Sequence, residues 1–320
     1  MSVPGGSGRP DSSHRRAGPH PAAFRAPLIT ALHIAVTSLL ALVLIAAAAF
    51  IFRDPLLRLV TPDGGATLHR SLAYGDGPRR TLDIYVPKGA SNAPVVLFFY
   101  GGSWQTGRKE LYGFVGNALA ARGMVAVLPD YRVYPEVKFP DFVRDGAAAT
   151  RWTHDNISRF GGDPSSVILM GHSAGAHIAA MLALDGDYLR AEGLDPARDI
   201  KALVGLAGPY DFLPLTSSTF IDMFGGAERA ETQPIHFATE SAPPAFLAVG
   251  DADTIVSPRN TANLAAKLRA LGGAPKEIIY PGKGHFGLIL PFIGPLRFLA
   301  PVVDDVADFI KATVAKGRPT

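Results

Sequence analysis

Short, nearly unbroken apolar runs recur through the chain: PVVLFFYGG (94–102), MVAVLPDYR (124–132), SVILMG (166–171), IKALVGLAG (200–208) and PAFLAVGD (244–251). Each is rich in β-branched or aromatic side chains, and most stop at glycine, proline or aspartate. A run of this length without polar alternation reads as a strand buried on both faces. TLDIYVP (81–87) alternates like a half-buried strand and ends at proline, and KEIIYPG (276–282) adds a further strand near the C-terminal end. Helical spacing fills the intervals, over 110–122, 139–157, 174–184, 258–272 and 302–315. In the second of these Phe142, Ala149 and Trp152 share one side. Strands buried on both faces and separated by helices imply an α/β chain with a mostly parallel sheet covered by helices on both faces. The pattern runs from about residue 66 to 316, with no repeat period and no mark of a second domain.

Composition permits this. Of 320 residues, 48% are apolar and 18% charged, which supports a large core. Thirty-one basic side chains against 28 acidic give a net charge of +3, and no basic stripe with interleaved aromatics appears, so a nucleic-acid partner is not expected. The absence of cysteine excludes disulfides, thiolate metal sites and a cysteine nucleophile.

The N-terminal part is different. Residues 1–27 are rich in Pro, Gly, Ser and Arg and read as a flexible tail. Residues 28–52 carry no formal charge and four polar side chains, Thr30, His33, Thr37 and Ser38. As a helix they would extend roughly 37 Å at 1.5 Å per residue, enough for a hydrocarbon core of about 30 Å. A transmembrane signal anchor is the favoured reading. A cleaved signal peptide is the second, given alanines 46–49, and a buried core helix the third. Arginines 9, 15, 16 and 25 precede the segment and 53, 58 and 70 follow it. That small bias places the folded domain on the non-cytoplasmic side of a single-pass anchor.

In a parallel sheet, functional residues gather beyond the carboxyl ends of the strands. Three stretches lie there. Gly171-His172-Ser173-Ala174-Gly175 fits G-x-S-x-G between a predicted strand and a predicted helix. A nucleophile on so sharp a turn is lifted clear of the sheet, and the next backbone N–H and the helix N-terminus face a developing negative charge. Downstream, LAVGDADTIVSP supplies an acid, Asp253, with Asp251 as its rival in the same turn. YPGKGHFG supplies His285, which has no other histidine after it and only His236 between it and the elbow's His177. The order Ser173, Asp253, His285 is that of nucleophile, acid and base in α/β-hydrolases. The third stretch, Tyr100-Gly101-Gly102-Ser103-Trp104, follows a strand with two adjacent glycines, a form that lets backbone N–H groups converge on an oxyanion.

With YGGSW, DYR (130–132), FGGDPSSVILMGHSAGAHIA, GDADTIV and GKGH in this order, the chain from about 68 to 315 resembles the α/β-hydrolase superfamily, in its esterase/lipase branch with an H-G-G-x-W oxyanion loop. It is similar to isoprenylcysteine methylesterases, arylformamidases and feruloyl-esterase-like hydrolases. The resemblance implies a carboxylesterase without metal or other cofactor, with Gly102, Ser103 and Ala174 donating N–H groups to the oxyanion. Tyr100 and Trp104 beside them are the candidates for contacting substrate. Tyr100 stands where the loop usually has histidine, which leaves open how the loop is braced. The implied substrate is a small-molecule or lipid-like ester. An amidase using the same triad and a non-catalytic tethered binding protein are the alternatives. Finally, residues 286–303 hold one charge, Arg297, in eighteen residues, and read either as core under the last helix or as an apolar flap beside an acyl site or bilayer.

Overall fold

The computed structural model describes residues 65–316; the predicted tail (1–27) and apolar segment (28–52) lie outside them. Among the described residues no helix is long and apolar enough to cross a membrane.

Eight strands form one sheet: β1 Thr67–Ala73, β2 Thr81–Val86, β3 Ala93–Phe99, β4 Val125–Pro129, β5 Gly162–His172, β6 Ile200–Leu206, β7 Ala245–Gly250 and β8 Lys276–Tyr280. Their order is β1-β2-β4-β3-β5-β6-β7-β8. The first two pairings, β1 with β2 and β2 with β4, are antiparallel, and all later ones are parallel. The register aligns Leu97 with Val127 and Leu169, and Leu169 with Leu203. The continuous apolar runs are those of β3, β4, β5, β6 and β7, which are buried almost throughout. Each fully buried Val, Leu, Ile or Phe among them contributes about 1.5–3 kcal/mol.

Among the described residues there are eight α-helices: α1 Gly113–Ala120, α2 Asp141–Asn156, α3 Ala174–Leu184, α4 Gly186–Ala191, α5 Pro196–Asp199, α6 Ser218–Phe224, α7 Arg259–Ala270 and α8 Val302–Ala315. α1 packs on α8 and α2 on α3, so that helices cover both faces of the sheet. In α2 the buried positions Phe142, Gly146, Ala149 and Thr153 recur at helical spacing along one stripe.

Three details differ from expectation. β1 was not anticipated: it is a half-exposed edge strand with a register shift at Ser71, whose φ is 52°, and it carries polar side chains instead of an apolar run. The helix expected over 110–122 is a 3₁₀ turn, Lys109–Tyr112, followed by α1. Residues 286–303 form short 3₁₀ turns up to Leu299 and then enter α8 at Val302. They bury Leu288, Ile289, Phe292 and Ala300 yet leave Phe286 and Phe298 59% and 81% exposed.

Candidate active site

Four loops meet at the carboxyl edge of the parallel strands: those after β3, β5, β7 and β8. The sharpest turn follows β5. Ser173 sits between β5 and α3 with φ 55° and ψ −125°, a backbone conformation that side-chain-bearing residues rarely adopt. Its N–H donates to the Leu206 carbonyl at 2.9 Å, and its own carbonyl accepts from Ala176 and His177 at 2.9 and 3.2 Å. The neighbouring structure therefore imposes the strained turn. The flanking glycines are needed for contact: a Cβ on Gly175 would collide with the Phe99 carbonyl of β3, and one on Gly171 with the Gly175 backbone. Helix α3 thus lies directly against the strand ends, with Ser173 at its tip.

After β7, Asp253 is anchored by the N–H groups of Ile255 and Val256, both donating to Oδ1 at 2.9 Å. Its other oxygen, Oδ2, lies 2.8 Å from Nδ1 of His285. Both side chains are almost fully buried. A carboxylate on Nδ1 selects the tautomer with hydrogen there, which leaves Nε2 as a bare acceptor. Asp251, the rival acid, is turned elsewhere and accepts from the Gly282 N–H at 2.6 Å.

After β3 the backbone doubles back through three successive residues of positive φ: Gly102 (142°), Ser103 (53°) and Trp104 (56°). The Gly102 carbonyl closes this turn by accepting from Gln105 and Thr106, both at 3.0 Å. A Cβ on Gly101 would stand 3.0 Å from Cβ of Ser173, so the loop runs beside the serine. Among the described residues no hydrogen bond occupies the N–H of Gly102, Ser103 or Ala174. The chain therefore presents free donors next to a serine, a histidine with a bare Nε2 and a buried carboxylate.

The bracing of that loop answers the question raised by Tyr100. Tyr100 is fully buried, stacked between Tyr112 and Tyr131 with ring centroids 5.4 and 4.7 Å away. Its hydroxyl donates to Asp130 at 2.8 Å and accepts from Arg79 at 3.2 Å, while the Tyr131 hydroxyl donates to the Tyr100 carbonyl at 2.7 Å. Burial, followed by the charges and hydroxyls around it, holds the phenol far above its ordinary titration range. The Tyr100 side chain is thus a strut for the loop. Beneath it Asp130 also accepts from the Lys109 N–H at 2.8 Å, and the Lys109 ammonium, itself buried, lies 3.5 Å from Asp83 and 2.6 Å from Glu110. Trp104 is likewise buried, its ring packed in a cluster with Phe142, His177, Phe212, Phe220 and Phe224.

Two further histidines lie at the elbow. His177 is buried with Nε2 2.9 Å from the Thr232 carbonyl, and His172 is buried with Nε2 3.1 Å from the His285 carbonyl. Burial pushes both imidazoles down to about 4, so each is neutral near pH 7. Spacing along the chain could not reveal these contacts, because their partners lie 55 and 113 residues away.

A mostly parallel sheet covered on both faces, with a serine elbow after a central strand and acid and histidine loops after the next strands, is the arrangement of the α/β-hydrolase fold. The BD-FAE family model matches residues 82–268, more than half of the chain, and the chain belongs to that family. It is 33% identical over 268 residues to an isoprenylcysteine alpha-carbonyl methylesterase of Arabidopsis thaliana, covering 77% of this chain and 62% of that protein. It is 31% identical over 242 residues to the esterase LipC of Mycobacterium tuberculosis, covering 68% of this chain and 59% of that protein. The chain thus spans about three-fifths of the length of these two relatives. In structure it is similar to a truncated carbohydrate esterase from gut microbiota, with a TM-score of 0.68, 24% identity, and coverage of 79% of this chain and 98% of that one.

Proposed function

We propose that this protein is a serine carboxylesterase. The observation that carries the reading is the buried Asp253–His285 pair at 2.8 Å, brought to the same strand edge as the strained Ser173 and the free N–H groups of the Gly102 loop. The names of the relatives, a methylesterase and an esterase, support the same chemistry. In this reading Nε2 of His285 takes the proton of the Ser173 hydroxyl as its oxygen attacks the ester carbonyl. Asp253 holds the imidazole in the required tautomer and stabilises its charged form. The N–H groups of Gly102, Ser103 and Ala174 receive the oxyanion, and His285 passes its proton to the departing alcohol. Water, deprotonated by the same nitrogen, then attacks the acyl-enzyme and releases the acid and Ser173.

A fluorophosphonate probe is expected to label the wild-type chain at Ser173, and Ser173→Ala is expected to lose both labelling and at least about 10³-fold in kcat on p-nitrophenyl acetate. An unlabelled wild type, or an unchanged rate in Ser173→Ala, overturns the reading.

Residues 28–52 are proposed as a single-pass anchor holding this domain on the non-cytoplasmic side, and the substrates as esters with lipid-like groups. The uncharged 25-residue stretch and the exposed Phe286 and Phe298 support this. Deleting residues 2–52 is expected to release the protein from the membrane fraction and to reduce its preference for long-chain over short-chain esters. Retention at carbonate-washed membranes, or an unchanged chain-length preference, counts against it.

A further inference from the structure

We propose that His172, the residue before the serine, is a positioning residue that pins the loop carrying His285 to the nucleophile elbow and to the oxyanion loop. Its Nε2 lies 3.1 Å from the main-chain carbonyl of His285. A carbonyl oxygen can only accept, so Nε2 must carry the hydrogen and donate. Nδ1 is then bare; it is buried with no hydrogen-bond partner. The same nitrogen lies on the oxyanion side, where a Cβ placed on Gly101 would come within 3.2 Å of it. The rings of His172 and His285 have centroids 4.8 Å apart. One imidazole therefore touches three separate pieces of the site: the elbow to which it belongs, the turn after β3, and the turn after β8.

The main-chain bond is what matters for chemistry. Asp253 holds one end of the His285 ring, but a ring held at Nδ1 alone can still swing with its backbone. The His172 N–H fixes that backbone at the carbonyl of the same residue. A shift of about 1 Å in a reacting group can cost on the order of 10²-fold in rate. Neutrality is part of the design: a charged imidazole at His172 would oppose the positive charge that His285 acquires when it takes the serine proton. Burial keeps His172 neutral near pH 7.

The kinetic part of this inference rests on the esterase reading, but the structural part does not, and the test separates them. His172→Phe keeps a ring and removes the N–H, whereas His172→Gln can place an amide N–H near the lost Nε2. His172→Phe is expected to lower kcat about 10–100-fold on p-nitrophenyl acetate with KM within about twofold, and His172→Gln to recover most of the loss. In parallel, hydrogen exchange at the Gly287 and Ile289 amides, which close the turn after His285, is expected to speed up in His172→Phe and to return towards the wild-type rate in His172→Gln. Unchanged kcat and unchanged exchange in His172→Phe overturn the proposal, as does a loss that His172→Gln does not recover while it folds with a wild-type melting temperature. If wild type and Ser173→Ala prove equally inactive while the exchange pattern holds, the esterase reading falls and the brace stands.

Discussion

Ser173 stores energy in its backbone. At φ 55° and ψ −125° a side-chain-bearing residue is strained by about 1–3 kcal/mol, whereas glycine tolerates the turn. Glycine costs roughly 0.5–1 kcal/mol through the unfolded chain, so the strain term wins. Ser173→Gly is therefore expected to be more stable than Ser173→Ala by about 1 kcal/mol in urea denaturation. Equal stability, or a more stable alanine variant, would show that the elbow carries no strain. The residue that resisted interpretation in sequence, Tyr100, behaves in the opposite way: its stacked ring and its bonds to Asp130 and Arg79 are stabilising contacts. They give the turn after β3 a foundation without the histidine usual at this position of the resembling loops.

At the scale of elements, α3 makes a tight joint with the ends of β3 and β5. Gly175→Ala would drive a methyl group into the carbonyls of Phe99 and Tyr100. Backbone atoms on both sides cannot yield as a side-chain tip would, so a loss of more than about 3 kcal/mol is expected, with activity lost as well. Gly123→Ala is the control. It has φ 83° and open space around it, so only the left-handed strain of about 1–2 kcal/mol applies. Chemical denaturation of both variants checks the contrast, and similar losses would mean that α3 can move away from β3. The elements legible from sequence were those whose local pattern equals their final burial. β3, β6, β7 and the C-terminal half of β5 are almost entirely buried and carry largely apolar runs. β1 was illegible because an edge strand is held by pairing with β2 and by the Ser71 N–H donating to Asp83 at 2.8 Å, neither of which leaves an apolar signature.

For the whole molecule, the two neutral buried histidines couple stability to pH. His172 and His177 titrate near 4 in the folded state and near 6.5 when unfolded. Between these values the unfolded chain binds more protons, so stability falls as pH drops from about 7 towards 4 and levels off below that. At pH 5 the two together are expected to cost a few kcal/mol, on the order of 2 kcal/mol each, with close to one proton taken up per histidine on unfolding. Calorimetry in buffers of different ionisation enthalpy measures this uptake; identical stability at pH 7 and pH 5 would contradict the buried neutral state.

The sequence by itself determined the alternation of buried strands and helices, hence a parallel sheet, and it located Ser173, Asp253 and His285 just beyond strand ends. Those are local matters, set by the period of apolar residues and by glycines around sharp turns. Only the tertiary structure decided between Asp253 and Asp251 as the partner of His285, packed the Tyr100 and Trp104 rings into aromatic clusters, and set His172 against the carbonyl of His285. Each of these depends on which atoms meet when loops from distant strands converge. Hydrogen-bond direction and burial at such a junction are properties of the packed chain, and no spacing along it encodes them.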